Sequence, residues 1–182
     1  ANVAMVHFKI PKSAFSEFQA GEETLGVNLD NLKKVLKRAG KKSILTLEKD
    51  TEEEKLNITI QDKIKRNFSL SLIDVDSEEK EVPNLEFSAK VNINSQDLTD
   101  AIEDSAVVGD ACSFQIKEGN FVILAEGMNS SRVEFSPDEA EIQAEDCASK
   151  YSVEYLQKFM KAGKITDKVD IRFANEHPLK MD

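Results

Sequence analysis

Apolar and polar residues alternate along most of this chain, and the alternation predicts strands. Residues 3–10 set Ala4, Val6, Phe8 and Ile10 on one face and Val3, Met5, His7 and Lys9 on the other. Residues 56–61 alternate as cleanly as a half-buried antiparallel strand should, and 64–72 repeat the pattern with Ile64, Phe68, Leu70 and Leu72 inward. Further strands are expected at 44–48, 85–93, 112–116, 121–125, 132–135, 141–144 and 169–173. Lys117-Glu118-Gly119-Asn120 carries a hairpin-turn signal between two of these runs. The acidic run Asp50-Thr51-Glu52-Glu53-Glu54 separates two apolar runs and reads as a solvated turn rather than a metal site.

Three stretches switch to a helical period: 28–40, 95–107 and 152–163. At about 100° per residue, Leu29, Leu32, Val35, Leu36 and Ala39 share one arc, while Lys33, Lys34, Lys37, Arg38 and Lys41 share the opposite one. Val153, Leu156, Phe159 and Met160 form the apolar arc of the third stretch, with Lys158, Lys161 and Lys164 facing away. The middle stretch instead places Asp97, Asp100, Glu103 and Asp104 outward. Helices laid on antiparallel sheets make an α+β architecture.

The two basic helices are also copies. Asp30–Lys37 aligns without gaps on Glu154–Lys161, and each is followed by a strand. A repeat of about 124 residues is too long for a solenoid and predicts two homologous domains. Between them residues 74–84 are charged, poor in apolar side chains and contain Pro83, so they read as an exposed extended connector.

Composition narrows the function classes. The balance of 40% hydrophobic and 32% charged residues is that of a globular chain. No apolar run reaches the roughly 18 residues that span a bilayer. Residues 1–10 lack the basic start and cleavage site of a signal peptide. Without a secretory signal, the three glycosylation sequons at Asn57, Asn67 and Asn129 are read as chance. Cys112 and Cys147 fit no metal spacing and are expected as unpaired thiols. His7 and His177 stand apart from any nucleophile or carboxylate pattern and read as structural, and no phosphate-cradling glycine loop is present. A net charge of −10 argues against a polyanionic partner for the molecule as a whole, yet the cations are segregated onto two helix faces.

Four segments, in order, resemble the DNA sliding clamps of the proliferating cell nuclear antigen (PCNA) family, particularly archaeal ones. They are Gly26–Gly40, residues 3–10 with Pro11-Lys12-Ser13-Ala14-Phe15, residues 72–76 with Val82-Pro83, and Asn175–Met181. The resemblance implies a clamp fold in which sheets form the outside of a ring and helices line its hole. It divides the chain into a first domain at 1–73, a connector at 74–86 and a second domain at 87–182. It also implies a first domain without its opening strand and helix, and a second without its final strands. A non-catalytic role follows, with no cofactor or metal: encircling duplex DNA without sequence preference and tethering replication and repair enzymes. Lys33, Lys34, Lys37, Arg38, Lys158, Lys161 and Lys164 would face the phosphates.

Subunits would join edge strand to edge strand into a trimer, through residues 63–70 and 131–135. A pocket walled by Val3, Met5, Val82, Phe87 and Pro178 would receive short peptides from a clamp loader, polymerase, ligase or flap nuclease, with Lys80 making its rim more polar. The implied setting is the cytoplasm of an archaeal cell, or the nucleus of a eukaryotic one. Acidic residues matching Asp100 and Glu103 depart from the basic residues many clamps carry there. The alternatives are a subunit of a heteromeric or checkpoint-type ring and, with only scattered acids behind it, a carboxylate-based hydrolase.

Overall fold

A computed structural model describes residues 4–75 and 84–182. The chain divides into two compact units, His7–Val82 and Pro83–Asp182 together with Ala1–Val6.

In the unit His7–Val82, helix α1 (Leu29–Leu36) is followed by strands β1 (Ile44–Asp50), β2 (Lys55–Gln61) and β3 (Lys65–Ser71). They form an antiparallel sheet in the order β1-β2-β3, with Leu47 opposite Ile58 and Ile58 opposite Phe68. Period-two alternation sends Leu56, Ile58 and Ile60 into the core, where they meet Val35 of α1 and the partly buried Leu25, Val27, Leu32, Phe68 and Leu70. Asn28 starts the helix: its side-chain oxygen accepts a hydrogen bond from the Asn31 amide at 3.0 Å, satisfying one of the donors a helix start leaves open. Gly26 lies so close to the backbone of Ile73 that a Cβ would sit 2.1 Å from the Ile73 carbonyl oxygen. Only glycine permits the 2.9 Å bond from the Ile73 amide to the Gly26 carbonyl.

The acidic run is a turn. Asp50 accepts from the amides of Glu52 and Glu53, both at 3.0 Å, and Glu54 takes a left-handed φ of 48°. Among the described residues no group of acids, histidines or cysteines could hold a metal ion.

The strand expected at 3–10 does not form. Residues 4–10 enter no ladder, and Val6, Phe8 and Ile10 are exposed, Phe8 by 74%. Alternation marks which face a strand would bury, but a strand exists only with a neighbour to take its amides. No described strand lies beside this segment. Ile64, expected inward, is likewise exposed just before β3 begins.

The larger unit runs β4 (Ala89–Asn94), α2 (Ser95–Val108), β5 (Ala111–Lys117), β6 (Asn120–Glu126), β7 (Ser130–Phe135), β8 (Ala140–Ala144), β9 (Cys147–Ser152), α3 (Val153–Phe159), β10 (Lys168–Phe173) and β11 (Lys180–Met181). Two four-stranded antiparallel sheets result, ordered β11-β10-β4-β8 and β7-β6-β5-β9. Phe173 of one sheet meets Phe114 and Phe121 of the other, with Phe114 edge-on to Phe121 at 5.3 Å. That aromatic cluster, each ring fully buried, joins the sheets; burial of one such side chain is worth roughly 1.5–3 kcal/mol. Helices α2 and α3 pack on each other and close the core with Leu98, Ala101, Ile102, Val153, Leu156 and Met160.

The hairpin forms as expected. Lys117 pairs with Asn120 across Glu118 (φ 53°) and Gly119 (φ 82°), the doubly left-handed pair that suits two twisted strands. The third helix is shorter than its periodicity suggests: α-geometry ends at Phe159, and a 3-10 turn covers Ala162–Ile165. The strand expected from residue 85 begins at Ala89. Strands β9 and β11 were not foreshadowed by the pattern. Both cysteines are buried and free, as expected. No helix among the described residues is long and apolar enough to cross a membrane.

Candidate nucleic-acid interface

The repeat seen in the sequence survives in the fold. The helix starts Leu29 and Val153 are 124 residues apart, and so are the following strand starts Ile44 and Lys168. Each helix therefore presents its cations at the same place in the repeat, on the arc opposite its apolar residues and ahead of a strand.

On α1 and the turn after it, Lys33, Lys34, Lys37 and Arg38 are all exposed, and no carboxylate among the described residues lies within ion-pair distance of them. Asp30 in the first turn and Lys33 and Lys34 near the end match the helix dipole. The apolar arc is only partly used: Val35 is buried and Leu32 half-buried, but Leu29 and Leu36 remain exposed and line a shallow apolar depression with Lys33 and Lys37.

On α3 the apolar arc is better covered than on α1, with Phe159 half-buried. Val153, Leu156 and Met160 are buried. Lys158 is tied to Glu154 at 2.6 Å and lies over the Tyr155 ring at 5.3 Å, so the hydrogen bond and charge of Glu154 hold its ammonium above the usual lysine range. Lys161 and Lys164 are exposed, with no carboxylate within ion-pair distance among the described residues. Among the described residues, Lys158 is the one of the seven cations named from sequence that is engaged in an ion pair.

Helix α2 starts on Asn94, whose side chain accepts from the amides of Gln96 and Asp97 at 2.9 and 3.2 Å. Asp97, Asp100, Glu103 and Asp104 are exposed, as the wheel predicts, and the helix contains no basic residue.

Val3 and Val82, expected in the peptide pocket, lie outside the described residues, as does Lys80. Met5 is 47% exposed and Pro178 is exposed. Phe87 is half-buried and stands edge-on to the His177 ring at 5.7 Å, which brings it to the segment that carries Pro178. That segment is fastened to β9: Ser149 Oγ and Tyr151 Oη donate to the His177 carbonyl at 3.1 and 2.9 Å, and the Ala148 amide donates to Asn175 Oδ1 at 2.8 Å. Sequence reasoning missed Ser149 and Tyr151, because a hydroxyl bonded to a distant carbonyl leaves no local pattern. Burial pushes the Cys112 thiol up to about 11, against a smaller opposing bond from Ser105, so it is no thiolate nucleophile at neutral pH.

Residues 1–80 match the model of the N-terminal domain of proliferating cell nuclear antigen. The chain is 40% identical over 190 aligned positions to the DNA polymerase sliding clamp of Pyrococcus horikoshii, covering all of this chain and 75% of that protein. Among solved structures, PCNA from Thermococcus kodakaraensis superposes with a TM-score of 0.85 at 26% identity, over 94% of this chain and 72% of that one. A chain of the PCNA2–PCNA3 complex of Sulfolobus tokodaii superposes with a TM-score of 0.82 at 30% identity, over 94% and 72%. A basic helix repeated at a fixed offset over antiparallel sheets, with these likenesses spanning the whole chain, makes it a member of the PCNA family of DNA polymerase sliding clamps.

Proposed function

We propose that this chain is a non-catalytic subunit of a ring that encircles duplex DNA without sequence preference and holds a DNA polymerase to it. The observation that carries the reading is the pair of exposed lysine faces on α1 and α3, set 124 residues apart on helices of matching local structure. Lysine suits sliding: a mobile point charge meets each passing phosphate without a fixed bidentate geometry. Such contacts carry no base information and weaken steeply with salt, so retention falls to the closed ring.

Lys33, Lys34, Lys37, Lys158, Lys161 and Lys164 are the phosphate-facing residues in this reading, with Arg38 at the margin of the set. Met5, Phe87 and Pro178, with Val3 and Val82, form the pocket for short peptides of a clamp loader, ligase or flap nuclease. Subunits join through β3 of one copy and β7 of the next. The domains divide at a connector over 74–86. Reversing Lys34, Lys37 and Lys161 to glutamate lowers the slope of log affinity against log salt by about three, one per lost phosphate contact. An unchanged slope removes these residues from the interface. The Sulfolobus tokodaii relative forms a complex of two different PCNA chains, which supports a second reading as one subunit of a mixed ring; the native mass of the protein expressed alone separates the two.

A further inference from the structure

Two of the lysines assigned to the phosphate-facing set stand beyond the α-geometry of α3. Lys161 follows the helix, and Lys164 lies in the 3-10 turn Ala162–Ile165. That turn has little to hold it. None of its residues is buried, and the backbone bonds at its two ends run from the Gly163 amide to the Met160 carbonyl at 3.1 Å and from the Thr166 amide to the Gly163 carbonyl at 3.4 Å. A single 3-10 turn has poorer hydrogen-bond geometry than an α-helix and is weak by itself.

The first residue of α2 supplies what the turn lacks. Ser95 is 4% exposed. Its Oγ donates to the Thr166 carbonyl, and its amide donates to the Asp167 carbonyl at 2.9 Å. One residue of α2 thereby fixes two consecutive carbonyls just past the turn. The turn also lies directly on that residue: a Cβ at Gly163 would sit 3.5 Å from the Ser95 Cβ and 2.9 Å from Met160 Cε. The hydroxyl is not needed to start α2, because Asn94 already accepts from the Gln96 and Asp97 amides. A serine hydroxyl has one proton to donate, and here it goes to a carbonyl 71 residues away.

We propose that Ser95 is a positioning residue for DNA contact: through the carbonyls of Thr166 and Asp167 it sets where Lys161 and Lys164 stand relative to α3. This rests on the reading of the α3 lysines as phosphate contacts and deepens it. A lysine on an anchored backbone meets a phosphate without first ordering that backbone, so the entropy is lost on folding rather than on binding. Lys158 is already held, by Glu154 and over the Tyr155 ring. Lys161 and Lys164 have no ion-pair partner among the described residues, and Ser95 constrains them through the main chain instead. Helix α2 thus serves the second basic face with its first residue, while its carboxylates stay in solvent.

Association of the intact protein with a short DNA duplex, followed by fluorescence anisotropy over a salt series, tests this. Lys161→Gln with Lys164→Gln is expected to lower the slope of log affinity against log salt by about two, one per lost phosphate contact. Ser95→Ala removes one oxygen and fits the same space; it is expected to weaken binding at low salt by about threefold or more. In the chain carrying Lys161→Gln and Lys164→Gln, Ser95→Ala has no further effect, whereas in a chain carrying Lys33→Gln and Lys34→Gln it keeps its full effect. A general loss of stability would act on both backgrounds alike. Binding by Ser95→Ala equal to the parent, or weakening of both backgrounds alike, overturns the positioning role and leaves the DNA reading in place. A parental salt slope for the Lys161→Gln, Lys164→Gln chain removes α3 from the DNA reading, and the role of Ser95 with it.

Discussion

Helices α1 and α3 are copies in sequence and unlike in burial. Leu36 and Met160 hold equivalent places, yet Leu36 is 39% exposed and Met160 4%. Met160 lies in a core closed by α2 and two sheets, whereas the sheet beneath α1 has three strands and supplies three buried apolar residues, Leu56, Ile58 and Ile60. Amphipathicity therefore specifies which face of a helix can be buried, and its neighbours decide how much of that face is. The cationic faces behave otherwise: both copies keep their lysines in solvent, because a charged head needs no partner there.

The largest test of this contrast is Phe114→Ala. Phe114 contacts the rings of Phe121, Tyr151 and Phe173, so its loss should cost the larger unit about 3–5 kcal/mol, read from denaturant unfolding. Next come the equivalent truncations. Met160→Ala should cost about 2–5 kcal/mol, while Leu36→Ala should stay below about 1 kcal/mol. Equal costs would mean that the two helices are buried alike in solution. The smallest effect is alkaline. An unfolded Cys112 thiol ionises near 9.0 and the folded one at about 11, so the unfolded state loses its proton first. Stability should decline as pH rises through that window, with the partly buried Tyr151 hydroxyl, its pKa also raised by burial, acting in the same direction. Cys112→Ala should flatten the decline measured by thermal melts.

Much of the fold was legible. The alternation over 56–61 became β2 with every second residue buried, and Glu118-Gly119 became the tight turn its composition demands. Illegible parts share one cause. Residues 4–10 alternate as well as β2 does, yet they have no ladder. Conversely, Cys147–Ser152 has small and polar residues and no pattern, yet it forms β9 because the exposed edge of β5 supplies its hydrogen bonds. For the candidate interface, the cations were readable one by one. The tethering of Lys158 by Glu154 was implicit in their spacing of four residues. The contact of Phe87 with His177, 90 positions further along, was not.

By itself the sequence determined the local choices: strand or helix, turn position, which face is apolar, and where the lysines stand on their helices. These follow from side-chain periodicity and backbone preference within a few residues. Only the tertiary structure decided which apolar faces find cover, which strands find a ladder, and which strand edges stay open beside the acidic α2 and the basic α1. Burial and hydrogen-bond pairing are properties of two surfaces meeting, and no single segment contains both.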